Sequence, residues 1–244
     1  MEKPAKEFLS LIVPAYNEEN RLQTELPHVF EYLRENFPRW EVLYVDDGST
    51  DRTYKELIQV SQNHPEMHVL QLNKNSGKGR AIRTGLQAAR GDVILFSDAD
   101  FSTPIEEAAK LLSFLKNGYD IVISSRGVPG SRVEIHQPLL REITGKIGNA
   151  IVQTLLLLPF HDTQCGFKMF RREAVRRILP FLKIDGFAFD MEILAVAVAQ
   201  GLKVAEVPVV WRNVLESKVH VHHTLQVFLD VLKIRYDQAM GIYT

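Results

Sequence analysis

Short apolar runs alternate with longer amphipathic stretches through the first half of the chain. The apolar runs predict five strands, at residues 8–13, 41–45, 67–70, 93–96 and 121–123. Between the strands, apolar residues recur every three or four positions, as Leu26, Val29, Phe30 and Leu33 do, which is typical of helices with one buried face. This β-α alternation predicts an α/β fold with right-handed crossovers, in which a doubly wound, mostly parallel sheet carries helices on both faces.

The pattern changes after Arg126. The later residues predict a loop over 127–138, a helix over about 140–158, a strand over 167–170, an apolar helix ending at 199, a strand over 203–207 and a loop over 211–218. The apolar run 155–160 is more typical of a core than of a membrane contact. The amphipathic segment from Leu225 to Ile234 predicts a helix that either docks at an interface or packs on its own sheet.

Carboxylates follow two of the predicted strands. The run 93–96 leads into Asp98-Ala-Asp100, and the run 41–45 leads into Asp46 and Asp47. Ligands bind beyond the carboxyl ends of strands in open α/β sheets, and two close carboxylates favour a hard cation such as Mg2+ between them. The alternative for Asp100 is a helix cap before Pro104. Capping also explains residues 49–51, but it does not explain Asp47.

A glycine-rich loop, Asn73 to Gly79, precedes a predicted helix over 80–89. The amides and the positive dipole end of that helix could face an anion. The spacing of the loop matches neither the Walker P-loop nor the G-x-G-x-x-G dinucleotide fingerprint, so ATP and NAD are poorly supported.

Composition excludes several classes of protein. A formal net charge of -1 argues against a general nucleic-acid binder, and a single cysteine, Cys165, excludes an intrachain disulfide and a Cys-rich zinc site. No apolar stretch approaches ~18 residues, and residues 1–7 lack the apolar core of a signal peptide. We therefore expect a cytosolic protein, soluble or peripheral, in a reducing compartment.

Basic residues crowd one short region of the chain. This crowding favours either a basic face toward an anionic bilayer or an ordinary solvated helix face. The residues concerned are Lys168, Arg171, Arg172, Arg176, Arg177 and Lys183.

Four motifs in order resemble the family 2 glycosyltransferases of the GT-A fold. They are Val13-Pro-Ala-Tyr-Asn-Glu18, Val45-Asp-Asp-Gly-Ser-Thr50, Asn75-Ser-Gly-Lys-Gly79 and Asp98-Ala-Asp100. Each motif alone is weak, but four in this order are specific. Three further motifs, at 162–168, 187–192 and 216–218, resemble the dolichyl-phosphate glucose and mannose synthase group, although Glu216 stands where those proteins usually have glycine.

The resemblance implies a single, Rossmann-like GT-A catalytic domain over residues 1–244. Residues 8–126 would form the nucleotide-sugar-binding half, 127–219 the acceptor-binding half and 220–244 a C-terminal amphipathic helix. The implied reaction is the inverting, metal-dependent transfer of glucose from UDP-glucose to a dolichyl-type polyprenyl phosphate. Its site would lie at the cytoplasmic face of a membrane, with the protein held there peripherally and with no nucleic-acid partner.

The resemblance also assigns roles to residues. Asp98 and Asp100 would hold Mg2+ or Mn2+ on the diphosphate, and Asp162 would lie beside the acceptor. Arg126 would bind the acceptor phosphate, with Arg141 and Lys146 as further candidates. Arg212 and Lys218 would close over the diphosphate. The remaining nucleotide-sugar contacts would come from Pro14, Tyr16, Glu18, Asp47, Gly77 and Lys78.

Two other functions stay open at this point. A family 2 transferase acting on a saccharide or another soluble acceptor would need a carboxylate base, for which Asp162 and Glu192 are candidates. A non-catalytic nucleotide-sugar-binding protein is the alternative of another class, although such a protein need not keep Asp47, Asp98 and Asp100 together.

Overall fold

A seven-stranded sheet forms the centre of the molecule. A computed structural model describes residues 7–19, 22–134, 152–212 and 222–244. The sheet contains β1 (Phe8–Ala15), β2 (Arg39–Asp46), β3 (Met67–Gln71), β4 (Val93–Ser97), β5 (Ile121–Ser125), β7 (Phe167–Arg171) and β8 (Val204–Pro208). Its order is β3-β2-β1-β4-β7-β5-β8, and every pair is parallel except those made by β7, which runs antiparallel to β4 and β5. The predicted doubly wound, mostly parallel α/β fold is confirmed.

Helices cover both faces of the sheet. They are α1 (Leu22–Asn36), α2 (Thr53–Ser61), α3 (Lys78–Ala88), α4 (Glu107–Lys116), α5 (Arg172–Ile178), α6 (Phe189–Ala199) and α7 (His222–Ala239). Successive residues of the strands point to opposite faces, so Ile12 and Phe96 pack under α3, α5, α6 and α7, whereas Leu11 and Leu95 pack under α1, α2 and α4. Two apolar layers therefore enclose the sheet, and the candidate polar residues lie at the ends of its strands.

The first strand continues through Pro14 to Ala15, two residues beyond its predicted end at Val13. Asp47 N donates to Ala15 O at 2.8 Å, so the polar groups of Ala15 face β2 and those of Pro14 face β4. The pairing of β1 with β4 already ends at Ile12. The missing N–H of Pro14 therefore removes no bond from the sheet.

The predicted basic cluster does not form one surface, which corrects that expectation. Lys168 is fully buried, and Arg171 donates to the carbonyl oxygens of Tyr119 and Leu115. Arg176 pairs with the neighbouring Glu173. Lys168 and Arg171 point to opposite faces of β7 and Arg176 lies on α5, so closeness in the sequence does not place these side chains on one surface.

The second half holds further differences from the predicted elements. Residues 127–138 were expected to be loop, but β6 (Arg132–Val133) pairs in parallel with β9 (Val210–Trp211), a ladder too short to leave a sequence pattern. Helical structure is present at 152–156, after which Leu158 and Phe160 enter the core. The predicted candidates Arg141, Lys146 and Lys218 lie outside the described residues. Among the described helices, none has both the length and the apolarity to cross a bilayer.

Candidate functional site

The two carboxylates after β4 are placed by the turn that follows the strand. Asp98 N donates to Gly166 O at 3.0 Å, and Asp100 Oδ1 accepts from Ser102 N at 3.0 Å. Helix α4 begins only at Glu107, so Asp100 shapes a turn and does not cap that helix. Both carboxylates therefore lie at the carboxyl edge of the sheet, as predicted.

Lys78 joins this pair from the start of α3. Its Nζ lies 2.5 Å from Asp98 Oδ1, and both side chains are partly exposed, at 23% and 34%. Burial alone would lower the pKa of the Lys78 ammonium, but Asp98, Asp190 and Asp100 outweigh it and raise that pKa. Lys78 therefore stays charged at neutral pH beside the carboxylate pair.

The glycine-rich loop is held by Asp47. Its two carboxylate oxygens accept from Ser76 N and Gly77 N, each at 2.8 Å, and Arg80 N donates to Asp185 O. Burial raises the pKa of Asp47, and these two amide bonds oppose that shift. The amides of Ser76 and Gly77 thus bind an internal carboxylate and that of Arg80 binds a backbone carbonyl. The predicted contact of the start of the helix with an anion stays a prediction. A contact between Asp47 and a nucleotide base stays a prediction.

The turn after β1 is bound to the turn after β2. Asn17 N donates to Ser49 Oγ at 2.9 Å, and Glu18 N donates to Thr53 Oγ1 at 2.7 Å. Ser49 therefore does not cap α2; Asp51 Oδ1 instead accepts from Thr53 N at the start of that helix. Tyr16 and Glu18 lie in the turn after β1, and both side chains are partly exposed. Their predicted contact with a nucleotide stays a prediction.

Arg126 and Asp162 form a bidentate pair after β5. Arg126 Nε and Nη2 donate to the two carboxylate oxygens at 2.6 and 3.0 Å, and Arg126 N adds a bond of 3.1 Å. Burial would raise the pKa of Asp162, but Arg126 outweighs it and lowers that pKa. Glu206 of β8 accepts from Asp162 N at 2.8 Å and so fixes the backbone. Asp162 orients Arg126, whose side chain is 35% exposed.

A second, buried ion pair adjoins the first. Lys168 Nζ donates to Asp190 Oδ1 at 2.5 Å and to Cys165 O at 2.6 Å, and it lies 5.2 Å from the Phe96 ring. Burial raises the pKa of Asp190, and the ammonium groups of Lys168 and Lys78 oppose that shift. The Asp190 carboxylate therefore interacts electrostatically with the ammonium of Lys78 as well as with that of Lys168.

Sequence reasoning placed Lys168 in the exposed basic cluster and gave no role to Asp190. The available signal was a lysine inside an apolar strand and an aspartate at the start of an apolar helix. Each is costly to bury alone, and together they indicate a buried pair.

Arg212 lies near Asp100 at this edge of the sheet. Its N donates to Ser102 O at 2.8 Å, and it shares with Asp100 a cleft of about 90 Å³. Its Nε donates to Glu134 Oε2 at 2.9 Å. The predicted contact of Arg212 with a diphosphate stays a prediction.

The site offers oxygen ligands for a divalent cation without completing its coordination. The described part of the chain holds no group of three or more His, Cys, Asp or Glu side chains that could bind a metal. Mg2+ is commonly held by one or two carboxylates together with substrate phosphates and water. Asp98 and Asp100 fit that arrangement.

The fold has solved counterparts. Glucosyl-3-phosphoglycerate synthase from Mycobacterium tuberculosis, solved with UDP, matches at a TM-score of 0.67 and 20% identity, over 94% of this chain and 80% of that one. The mannosyltransferase PcManGT from Pyrobaculum calidifontis, solved with GDP-Man and Mn2+, matches at a TM-score of 0.61 and 20% identity, over 94% and 65% of the two chains. Both are GT-A glycosyltransferases, so the predicted GT-A fold is confirmed.

Relatives in sequence agree with the resemblance seen in the motifs. The dolichyl-phosphate beta-glucosyltransferase of Dictyostelium discoideum is 35% identical, over 97% of this chain and 76% of the relative. The Homo sapiens protein of the same name is 34% identical, over 99% and 79%. Residues 10–179 match the family described as glycosyl transferase family 2. The chain therefore belongs to that family and is a glycosyltransferase.

Proposed function

We propose that the protein transfers glucose from UDP-glucose to a dolichyl-type polyprenyl phosphate, with inversion at the anomeric carbon and with Mg2+ or Mn2+. The names of the sequence relatives support the acceptor and the sugar. A hydroxyl acceptor would need a carboxylate as a general base. The observation that carries the proposal is that both candidate bases, Asp162 and Glu192, are already engaged in hydrogen bonds.

Neither candidate base is suited to remove a proton. Both oxygens of Asp162 accept from Arg126, which lowers the pKa of that carboxyl. Glu192 is 1% exposed, and its oxygens accept from the amides of Lys183 and Ile184. A phosphate acceptor is already anionic at neutral pH and needs no base. The site therefore favours a phosphate over a saccharide hydroxyl.

The donor side is built from residues 8–126. Asp98 and Asp100 would hold the metal ion, and such an ion stabilises the negative charge on a leaving nucleoside diphosphate. Lys78, whose pKa is raised by the neighbouring carboxylates, supplies a positive charge at the same edge. Pro14, Tyr16, Glu18, Asp47 and Gly77 would frame the nucleotide, and Arg212 and Lys218 would close over it and exclude water.

The acceptor side is built from residues 127–219 together with Arg126. Asp162 holds Arg126 in one orientation, and its guanidinium lies 5.4 Å from the Trp211 ring. A guanidinium has five N–H donors, so a phosphate can still be bound by those that Asp162 does not use. Arg141 and Lys146 stay candidates for the same phosphate. Because the acceptor is a lipid, we place the protein peripherally on the cytoplasmic face of a membrane.

Transfer of labelled sugar to polyprenyl phosphate in detergent tests the proposal. UDP-glucose and GDP-mannose are compared, each with Mg2+ and with EDTA. We expect metal-dependent label in the lipid from UDP-glucose. Label from GDP-mannose alone would overturn the donor, slow donor hydrolysis without lipid labelling would overturn the acceptor, and neither transfer nor hydrolysis would favour a non-catalytic binding protein.

A matched pair of variants tests the metal site. Asp100→Ala should lose turnover by orders of magnitude while staying folded, because it removes one of two carboxylate ligands. Asp92→Ala changes an exposed aspartate at the opposite end of β4 and should retain turnover. Unchanged turnover in Asp100→Ala would remove the metal hypothesis.

A further inference from the structure

Helix α7 is apolar on two opposite faces. Val231 and Ile234 are buried in the core that also contains α6. The opposite side exposes large apolar side chains at helical spacing, which we call the outer face of α7. These side chains are 42–67% exposed: Leu225, Phe228, Leu229, Leu232 and Tyr236. A surface helix normally has one apolar stripe, so a second stripe on the outer face marks a candidate contact surface.

Charges border the outer face in a definite pattern. At about 100° per residue, Lys233 and Arg235 lie roughly 80° to either side of the centre of the outer face. The acidic residues are turned toward the protein, since Asp237 is 5% exposed and Asp230 is half-buried. An apolar stripe flanked by cations is the pattern of a helix lying in a membrane interface.

The area of the outer face argues against a second copy as its partner. Eighteen residues make a helix of about 27 Å, and a stripe roughly 10 Å wide covers about 270 Å². A stable protein interface buries about 800 Å² on each partner. A bilayer has no such threshold, because each inserted side chain contributes by itself.

Two further apolar side chains are exposed near the C-terminal end of α7. Met240, just past the helix, is 61% exposed, and Leu157 is 67% exposed. Gln238 Nε2 donates to Leu156 O at 3.2 Å, which places Leu157 near that end of the helix.

Helix α7 also adjoins the candidate site. It packs on α6, which begins at Phe189 and Asp190. Asp230 lies beside Gly186, at 3.4 Å from the position that a Cβ would take there. The preceding Asp185 O accepts from Arg80 N in the first turn of α3. A membrane contacted by α7 would thus lie close to the site.

We infer that the outer face of α7 binds the surface of an anionic lipid bilayer, with its apolar side chains below the headgroups and Lys233 and Arg235 at the level of the lipid phosphates. The inference rests on the proposed function for the presence of a lipid acceptor. The geometry of α7 supplies the surface and its orientation.

Sedimentation with vesicles tests the inference without any substrate. The full chain is mixed with phosphatidylcholine vesicles that contain or lack phosphatidylserine, at low and at high salt. The triple variant F228Q/L229Q/L232Q should bind about 100-fold more weakly. Ala109→Gln, an exposed position on α4 beneath the opposite face of the sheet, should bind like the parent chain.

A lysine pair separates the charge contribution. Lys233→Gln should weaken binding to anionic vesicles about fivefold and reduce its salt dependence. Lys55→Gln, an exposed lysine of α2, should change neither. Each variant should keep the circular dichroism spectrum of the parent chain and its activity on detergent-dispersed acceptor, because the replaced side chains face solvent.

Three outcomes would overturn the inference. They are failure of the parent chain to bind anionic vesicles at low salt, parental binding by the triple variant, and a concentration-dependent dimer that the triple variant abolishes without any vesicle binding. The proposed function fails separately: vesicle binding without transfer to polyprenyl phosphate rejects that function and leaves the membrane surface in place. Transfer in detergent without vesicle binding does the reverse.

Discussion

Gly166 is the position at which a single methyl group should separate activity from stability. Asp98 packs over the Gly166 backbone, and a Cβ at residue 166 would lie 2.1 Å from Asp98 Oδ2 and 2.3 Å from Asp98 Cγ. Ordinary contacts of a Cβ begin at 3.4 Å. The carboxylate must therefore move by about 1 Å in Gly166→Ala, and it can do so because the Asp98 side chain is 34% exposed.

The expected effects differ in size. Overpacking in a closed core costs about 1–3 kcal/mol, and rotation of the partly exposed Asp98 carboxylate should cost less than that range. A misplacement of about 1 Å in a catalytic group can cost about 100-fold in rate. We expect Gly166→Ala to lose about 100-fold in kcat/KM with the melting temperature little changed.

The assay measures transfer of labelled glucose alongside Mn2+ binding in the presence of UDP. Gly127→Ala is the control, since a Cβ at residue 127 would first meet His161 Cβ at 3.4 Å, an ordinary contact. Parental kcat/KM and parental Mn2+ affinity in a folded Gly166→Ala protein would show that the position of Asp98 does not govern the reaction.

Three further variants probe the ion pairs. Asp162→Asn should destabilise the protein equally from pH 5 to 8, and the difference should begin to shrink near pH 4 and vanish only below the folded-state pKa of Asp162, because Arg126 lowers that pKa and the pair is lost as pH falls through it. Urea unfolding across pH checks this, and a difference that grows in acid would contradict it. Lys168→Met should lower the unfolding free energy by about 3–5 kcal/mol by leaving Asp190 buried and unpaired, and adding Asp190→Leu should recover part of that loss in the same assay; no recovery would contradict the pairing. Arg126→Ala should raise KM for polyprenyl phosphate by about 10- to 100-fold with UDP affinity unchanged by calorimetry, and loss of UDP binding would assign Arg126 to the donor instead.

The sequence predicted the features that depend on burial along one strand. The run at 93–96 had to be central because it is apolar on both faces, and the sheet places it between β1 and β7. Asp98 and Asp100 then had to lie at the sheet edge. The ion pair between Asp98 and Lys78 could not be read from the sequence, because the glycine-rich loop and β4 are adjacent only in the folded chain.

Other features depend on residues that meet only in three dimensions. Whether the amides of Ser76 and Gly77 face a ligand or an internal carboxylate depends on Asp47, which precedes them by about thirty residues and whose carboxylate accepts from both. The sequence does not show that Arg126 is paired, because its partner Asp162 lies 36 residues away along the chain. No local pattern encodes such partners, because the favourable energy comes from the pair and the unfavourable energy from burying each member.

The direction of β7 links these missed features. Because β7 lies antiparallel between β4 and β5, its register places Lys168 opposite Phe96 and Phe167 opposite Ser97. The chain just before β7 then reaches Asp98 through the Gly166 carbonyl. A shift of one residue in this register would turn Lys168 to the other face of the sheet, away from Asp190, and would withdraw Gly166 from Asp98. A single strand pairing therefore fixes both the buried ion pair and the position of the carboxylate that we propose as a metal ligand, so residues 166–168 control the geometry of the turn after β4.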